Sequence, residues 1–276
     1  MDRIVIGDDT ESWQIARRLV RARLDARALP DYPGTIPRSL EAGYSSQDAA
    51  IQLWQAPVAG WKVGKIADDI ADLLGEDRLL GPIFADRLQW QGEAPAQFPV
   101  IAGGFAAVEA EYVFEIDHDA PADHYYWTPE DAAPYVRRLM VGVELAGSPL
   151  PDINRLGPSV VVSDYGNNAG LVLGPEIPDW HAQPMAELLC ETFIDGVSVG
   201  TGRASSIAGG PLAALAFALG RSARRGMPLR QGQLVSTGAA TGIHDIVAGQ
   251  RARVEFAGIA ALDVVAVVAQ PQSVQA

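Results

Sequence analysis

From about residue 83 to the carboxyl end, Gly, Pro, Asn and Asp break the chain into short apolar or alternating runs. These cover residues 108–116, 141–145, 160–163, 171–173, 193–199, 251–256 and 262–268. Runs of this length bounded by turn formers read as strands. No regular strand–helix alternation separates them, so the pattern argues for an α+β, mixed-β body over a doubly wound sheet. One helix interrupts it at residues 211–225, with Pro211 in its first turn and Gly226 as its stop.

The amino-terminal part has a different texture. Thr10 or Ser12 can cap a helix in which Ala16, Val20 and Leu24 recur every four residues, with Trp13 and Leu19 widening the apolar stripe. Arg17, Arg18, Arg21 and Arg27 lie on its other side, as a solvated, salt-bridged face or an oligomer contact. Three prolines and a glycine in residues 29–38 end that helix, and a second short helix is expected over residues 46–54. Residues 1–75 thus read as a mainly helical lead-in. Residues 76–276 form the mixed-β catalytic body, the two making one integrated unit.

The 276 residues are 48% hydrophobic, enough for a sizeable core. With 34 acidic against 21 basic residues the net charge is −13, which argues against nucleic acid and anionic membrane as partners. The single cysteine, Cys190, cannot form an internal disulfide, and a cytoplasmic location is favoured. The start, Met-Asp-Arg-Ile-Val-Ile-Gly-Asp-Asp, lacks the basic and long apolar regions of a signal peptide. The longest apolar candidate for a membrane span stops at Arg221.

The segment Val108-Glu109-Ala110-Glu111-Tyr112-Val113-Phe114-Glu115-Ile116 carries the chemistry. On a strand, side chains alternate faces, so Glu109 and Glu111 share one while Val108, Ala110, Tyr112, Phe114 and Ile116 share the other and pack on the core. Alone, Glu-x-Glu is as consistent with a solvated acidic face. A third carboxylate, Glu144, has Gly142 and Ala146 as its neighbours on its own face, which leaves room beside it. Three carboxylates about 5 Å apart repel pairwise by roughly 3 kcal/mol at an effective dielectric near 20, so a converging trio needs protons or a cation. Oxygen-only ligation points to Mg²⁺ or Mn²⁺ with positions left for water or a chelating substrate.

In order along the chain, Gly60-Trp61-Lys62-Val63-Gly64, Gly81-Pro82-Ile83-Phe84-Ala85-Asp86, Glu109-Ala110-Glu111 and Val143-Glu144 resemble the fumarylacetoacetate hydrolase superfamily. The resemblance is to its branch of 2-keto-4-pentenoate (2-hydroxypentadienoate) hydratases and 4-oxalocrotonate decarboxylases. It continues through Ser163-Asp164, Val172-Leu173-Gly174-Pro175, Gly232 and Thr237-Gly238, and spans about residues 44–268. It implies a mixed-β fold with a rolled central sheet, Mg²⁺ or Mn²⁺ held by Glu109, Glu111 and Glu144, and an acid/base pair of Lys62 and Asp86. From the residues alone, Lys62 between glycines and beside Trp61 is a candidate for desolvation and a lowered pKa, though most lysines are solvated. Asp86 reads equally as a turn or cap residue.

The chain departs from the hydratase pattern at Lys65-Ile66-Ala67, where the hydratases place hydroxyl residues. Lys65 either meets a second substrate carboxylate or points to solvent. His118, His124, His181 and His244 lie in polar or turn segments and suggest no base for C–C hydrolysis.

The resemblance implies hydration of a 2-hydroxy-2,4-dienoate to a 4-hydroxy-2-oxo acid, with Asp164 and Thr237 as candidates to orient water or carboxylate. The alternatives are a 4-oxalocrotonate-type decarboxylase, an acylpyruvate hydrolase, or a catalytically silent subunit that stabilises a partner enzyme. A homo-oligomer, in possible association with a pathway decarboxylase, is expected from the family.

Overall fold

The computed structural model describes residues 10–272. The first nine residues, whose pattern argued against a signal peptide, lie outside that range. The chain opens with α1 (Glu11–Leu24) and α2 (Leu40–Leu53), followed by β1 (Val58–Lys65), α3 (Asp68–Leu74), β2 (Arg78–Phe84), β3 (Leu88–Trp90) and β4 (Ala96–Val100). Next come β5 (Phe105–Ile116), α4 (Pro129–Ala132), β6 (Val136–Ser148), α5 (Pro158–Ser163) and β7 (Asn168–Glu176). The hairpin β8 (Leu189–Ile194) and β9 (Val197–Arg203) precedes α6 (Pro211–Arg224), β10 (Leu234–Ser236), β11 (His244–Asp245), β12 (Arg251–Phe256) and β13 (Ala260–Val268).

The strands form two sheets. The larger runs β2-β1-β10-β5-β6-β7-β3, with β11 also paired to β5, and curls into a half-barrel. The smaller runs β4-β13-β12-β8-β9. Both mix parallel and antiparallel pairs: β1 is antiparallel to β2 and parallel to β10, and β13 is antiparallel to β12 and parallel to β4. This is the expected α+β, mixed-β architecture with a rolled central sheet. The core lies between the layers, where Tyr112 and Phe114 of β5 meet Phe256 of β12 and Trp180 at ring distances of 5.6 and 5.5 Å.

Helix α1 buries Ile15, Ala16, Leu19, Val20 and Ala22 and exposes Arg17, Arg18 and Arg21, while Arg27, expected on the same face, is exposed just beyond the helix end. Helix α2 begins six residues before the expected position, because the Ser39 hydroxyl accepts a hydrogen bond from the Ala42 N–H and supplies a cap. Gly43 lets α2 approach α5: a Cβ there would lie 2.4 Å from the Ser159 carbonyl oxygen.

Three sequence expectations need correction. Residues 193–199, expected as one strand, hold the end of β8, the turn at Asp195-Gly196 and the start of β9, because the Asp-Gly pair is a turn former. Residues 160–163, expected as a strand, are the helix α5, with Pro158 in its first turn. A short apolar run buried on every side carries no periodicity to tell helix from strand. Residues 58–65 fall inside the segment read as helical, yet form β1, a central strand buried between β2 and β10. Its glycines on both sides of Trp61-Lys62-Val63 remove the alternation that marks a half-exposed strand. Among the described residues, no helix is long and apolar enough to cross a membrane.

Candidate active site

Strands β5 and β6 pair antiparallel with Glu109 directly opposite Glu144 and Glu111 opposite Gly142. The period of two puts Glu109 and Glu111 on one face, and the register brings Glu144 to the same spot. One carboxylate oxygen from each of the three lies within 4.8 Å of the others, and all three residues are buried.

Each carboxylate has one buried oxygen with no hydrogen-bond partner among the described residues. The Glu111 Oε2 atom accepts from Ser236 Oγ and from the Gly238 N–H, each at 2.7 Å, while its Oε1 has none. Glu144 Oε1 accepts from Asn168 Nδ2 at 3.0 Å and lies 3.4 Å from Lys62 Nζ, while its Oε2 has none. Glu109 Oε1 is likewise buried and unpartnered. Three converging buried carboxylate oxygens without donors are costly unless a cation fills the gap. This donor set fits a hard divalent ion.

Charge and burial set the protonation of the cluster. Burial, then the Glu144 charge, push Glu109 up to about 7 against the opposing pull of Lys62. Burial also drives Glu111 well above the ordinary carboxylate range, with Glu144 and Glu109 adding to it and Gly238 and Ser236 opposing. Lys62 is buried, as its glycine-flanked setting suggested. Burial alone works to lower its pKa, but Glu144, Glu109 and Glu111 outweigh that and hold it above the usual lysine value. The expectation of a depressed lysine therefore fails, because the ammonium is buried among carboxylates.

Lys62 sits mid-strand on β1, opposite Gly81 of β2 and Ser236 of β10, and its Nζ donates to Asn167 Oδ1 at 3.2 Å. Trp61 is buried in the main core. The pocket over Lys62 and Glu109, of about 460 Å³, also includes Thr237, Gly238, Asn154 and Asn167, with apolar walls from Ile66, Leu79, Val161 and Ile207.

The structure does not bring the other sequence candidates to this cluster as reactive groups. Asp86 is exposed on the turn after β2, 3.3 Å from Trp54 Nε1 and 3.5 Å from Arg87 Nε, and it borders a different cleft, with Arg21, Leu24 and Gln272. Asp164 is buried and committed to Arg23 at 2.7 and 3.0 Å and to Ser148 Oγ at 2.5 Å. Thr237 lines the pocket, but its hydroxyl donates to the Tyr112 carbonyl oxygen at 2.6 Å, holding the turn that aims Gly238 at Glu111. Lys65 is half exposed and 2.9 Å from Asp68. His118, His124 and His181 are exposed, and the His244 ring lies 3.1 Å from the Thr241 carbonyl oxygen.

Two residues beside the cluster escaped the sequence reading, Asn167 and Asn168. They follow Tyr165 and Gly166, and Tyr165, Gly166 and Asn167 all have left-handed backbones, with φ of 60°, 63° and 57°. Consecutive left-handed residues that include a tyrosine store strain and mark a site. The turn presses against β2 so closely that a Cβ on Gly81 would lie 2.0 Å from the Tyr165 carbonyl oxygen. The signal was present in Asp164-Tyr165-Gly166-Asn167-Asn168, a run of residues that tolerate or favour turns.

The chain is similar to the hydratase and decarboxylase branch of the fumarylacetoacetate hydrolase superfamily, in sequence and in fold. Over 242 residues it is 26% identical to a 2-keto-4-pentenoate hydratase of Burkholderia vietnamiensis (strain G4), covering 85% of this chain and 89% of the relative. Over 229 residues it is 28% identical to the TodF product hydratase of Pseudomonas putida (strain F1), covering 80% and 81%. The 4-oxalocrotonate decarboxylase of Pseudomonas putida G7, complexed with magnesium and adipate, shares the fold. Its TM-score is 0.77 over 92% of this chain and 96% of its own, at 17% identity. No family model matches the chain.

Proposed function

We propose that this chain is a divalent-metal-dependent hydratase that adds water to a 2-hydroxy-2,4-dienoate to give a 4-hydroxy-2-oxo acid. The observation that carries the reading is the cluster of three buried carboxylates, each with an unpartnered oxygen, beside the buried Lys62, with Lys62 and Glu109 lining the pocket. Similarity to two hydratases supports the same reaction. Glu109, Glu111 and Glu144 would hold Mg²⁺ or Mn²⁺, which when bound supplies a positive charge for the substrate's C1 carboxylate and C2 oxygen.

Lys62 Nζ is the proton carrier. Asn167 Oδ1 and Glu144 Oε1 fix its place, and its burial keeps competing water away. A proton delivered from Nζ to C5, with the C2 hydroxyl proton passing back to the lysine, produces the 2-oxo-3-enoate; water then adds its oxygen to C4 as C3 takes up a proton. The Ile66, Leu79, Val161 and Ile207 walls suit the unsaturated carbon tail. Asp86 has no part in this scheme, because it lies in another cleft. Asp164 and Thr237 act as supports.

A decarboxylase reading has one specific observation in its favour, the fold shared with a 4-oxalocrotonate decarboxylase. Incubating the purified protein with 2-hydroxypenta-2,4-dienoate and with 4-oxalocrotonate, each with and without Mg²⁺, separates the two. Hydration predicts metal-dependent loss of the dienol chromophore with water gained and no CO₂. Release of CO₂ from oxalocrotonate alone would transfer the assignment to the decarboxylase. C–C hydrolysis is disfavoured because none of the histidines, all within the described residues, lines this pocket.

A further inference from the structure

A second cavity, of about 340 Å³, shares no lining residue with the glutamate pocket. Three aromatic rings form one wall: Trp54 stacks on Phe84 at 5.2 Å, and Tyr165 stands edge-on to both, at 5.9 and 5.0 Å. Two arginines border the same space, each lying over one of these rings. The Arg87 guanidinium is 5.1 Å from the Trp54 ring centroid, and that of Arg23 is 5.1 Å from Tyr165. The cavity lining includes no carboxylate residue, in a chain whose net charge is −13.

The two arginines differ in how far they are satisfied. Arg23 is nine-tenths buried and saturated by Asp164, the Asn168 and Gly147 carbonyl oxygens and the Asp164 main chain. Among the described residues, Arg87 has only the Asp86 carboxylate, at 3.5 Å from its Nε, and the Trp54 ring as side-chain partners, and its side chain is 23% exposed. Burial works against its charge, and the nearby Arg23 adds to that against the help of Asp86. A guanidinium 5.1 Å from an aromatic ring centroid, with no hydrogen-bond partner on its Nη groups among the described residues, is suited to bidentate contact with a carboxylate. The apolar lining, which adds Pro99, Ile101, Phe105 and Val267 to the aromatic rings, suits an apolar body on that carboxylate.

The geometry points to this cavity as a second small-molecule site, for an apolar monocarboxylate whose carboxylate meets Arg87 and whose ring or chain packs in the apolar lining. A phosphate or other compact anion would leave the aromatic wall unused. The inference is independent of the hydratase reading, since the site needs neither metal nor Lys62.

Benzoate is the probe, titrated into the full chain freed of metal by EDTA and followed by calorimetry. Saturable binding is expected, weakened at least tenfold by Arg87→Gln and also by Arg87→Lys, which keeps the charge but loses the fork. Benzamide, isosteric but uncharged, is expected not to bind. The wild-type titration is then repeated with saturating Mg²⁺ and pyruvate, and the benzoate affinity is expected to stay within twofold. The inference is overturned by absence of saturable binding up to tens of millimolar, by affinity unchanged in the folded Arg87 variants, or by displacement with Mg²⁺ and pyruvate, which would put benzoate among the glutamates. Loss of metal binding in a separate Mg²⁺ titration would sink the hydratase proposal and leave this one standing.

Discussion

Replacing Asn168 with Ala tests how the glutamate cluster is held open for a cation. In the native chain Asn168 Nδ2 donates to Glu144 Oε1 at 3.0 Å, while the buried Oε2 has no partner among the described residues. Without that donor the carboxylate regains rotational freedom, and Lys62 Nζ, already 3.4 Å away, becomes its dominant partner and competes with the metal. A hydrogen bond to a charged group contributes about 1.5–3 kcal/mol. At 1.4 kcal/mol per tenfold change, Asn168→Ala should weaken Mg²⁺ or Mn²⁺ binding roughly 10- to 100-fold, the range typical of an orienting neighbour of a ligand. Calorimetric titration of the metal-free protein measures this directly. The backbone role of Asn168, whose carbonyl oxygen accepts from Arg23, is untouched by the substitution, so the fold should persist. An affinity within twofold of wild type, with Glu144→Ala abolishing binding, would refute the reasoning. It would show that Glu144 is set by its strand register alone.

Three further outcomes follow from the same geometry. Glu109 and Glu111 titrate higher in the folded metal-free chain than in the unfolded one, near 4.3 for an ordinary glutamate, so the folded state binds the extra protons. Stability should therefore fall as pH rises from about 5 through about 7, and added Mg²⁺ should abolish that fall; thermal melts across this range read it. Lys62→Met should leave metal binding intact or tighter, because a buried cation beside the ligands is gone, while dienol turnover drops by a factor of about 100 or more. Gly81→Ala forces a Cβ to within 2.0 Å of the Tyr165 carbonyl oxygen, so urea titration should show a loss of at least about 2 kcal/mol. An unchanged midpoint would mean that the turn yields freely.

The acidic centre was legible because strand periodicity and cross-strand register are local rules: Glu109 and Glu111 share a face by counting, and the small residues around Glu144 advertised space. What those rules lack is distance between separated segments. Asp86 reads as well as any aspartate near a lysine-bearing strand, yet the turn after β2 carries it to the Trp54 side. Asp164 shows the same gap, since only the fold reveals that Arg23, far away in sequence, claims it. The Lys62 expectation failed for an energetic reason. Desolvation was foreseen, but the opposing field of three carboxylates depends on how they converge around the ammonium. The helix α5 was misread because four buried residues are too few to display a period.

The left-handed turn at Tyr165-Gly166-Asn167 also constrains how this protein can change over evolutionary time. Within five consecutive positions, Asp164 answers to an arginine of α1, the Tyr165 carbonyl seats a strand, Asn167 steadies an ammonium and Asn168 steadies a carboxylate. Adding or removing one residue there would shift each of these assignments onto the wrong neighbour at once. Lineages that retain the chemistry should therefore keep the length of this segment, even where they exchange its side chains.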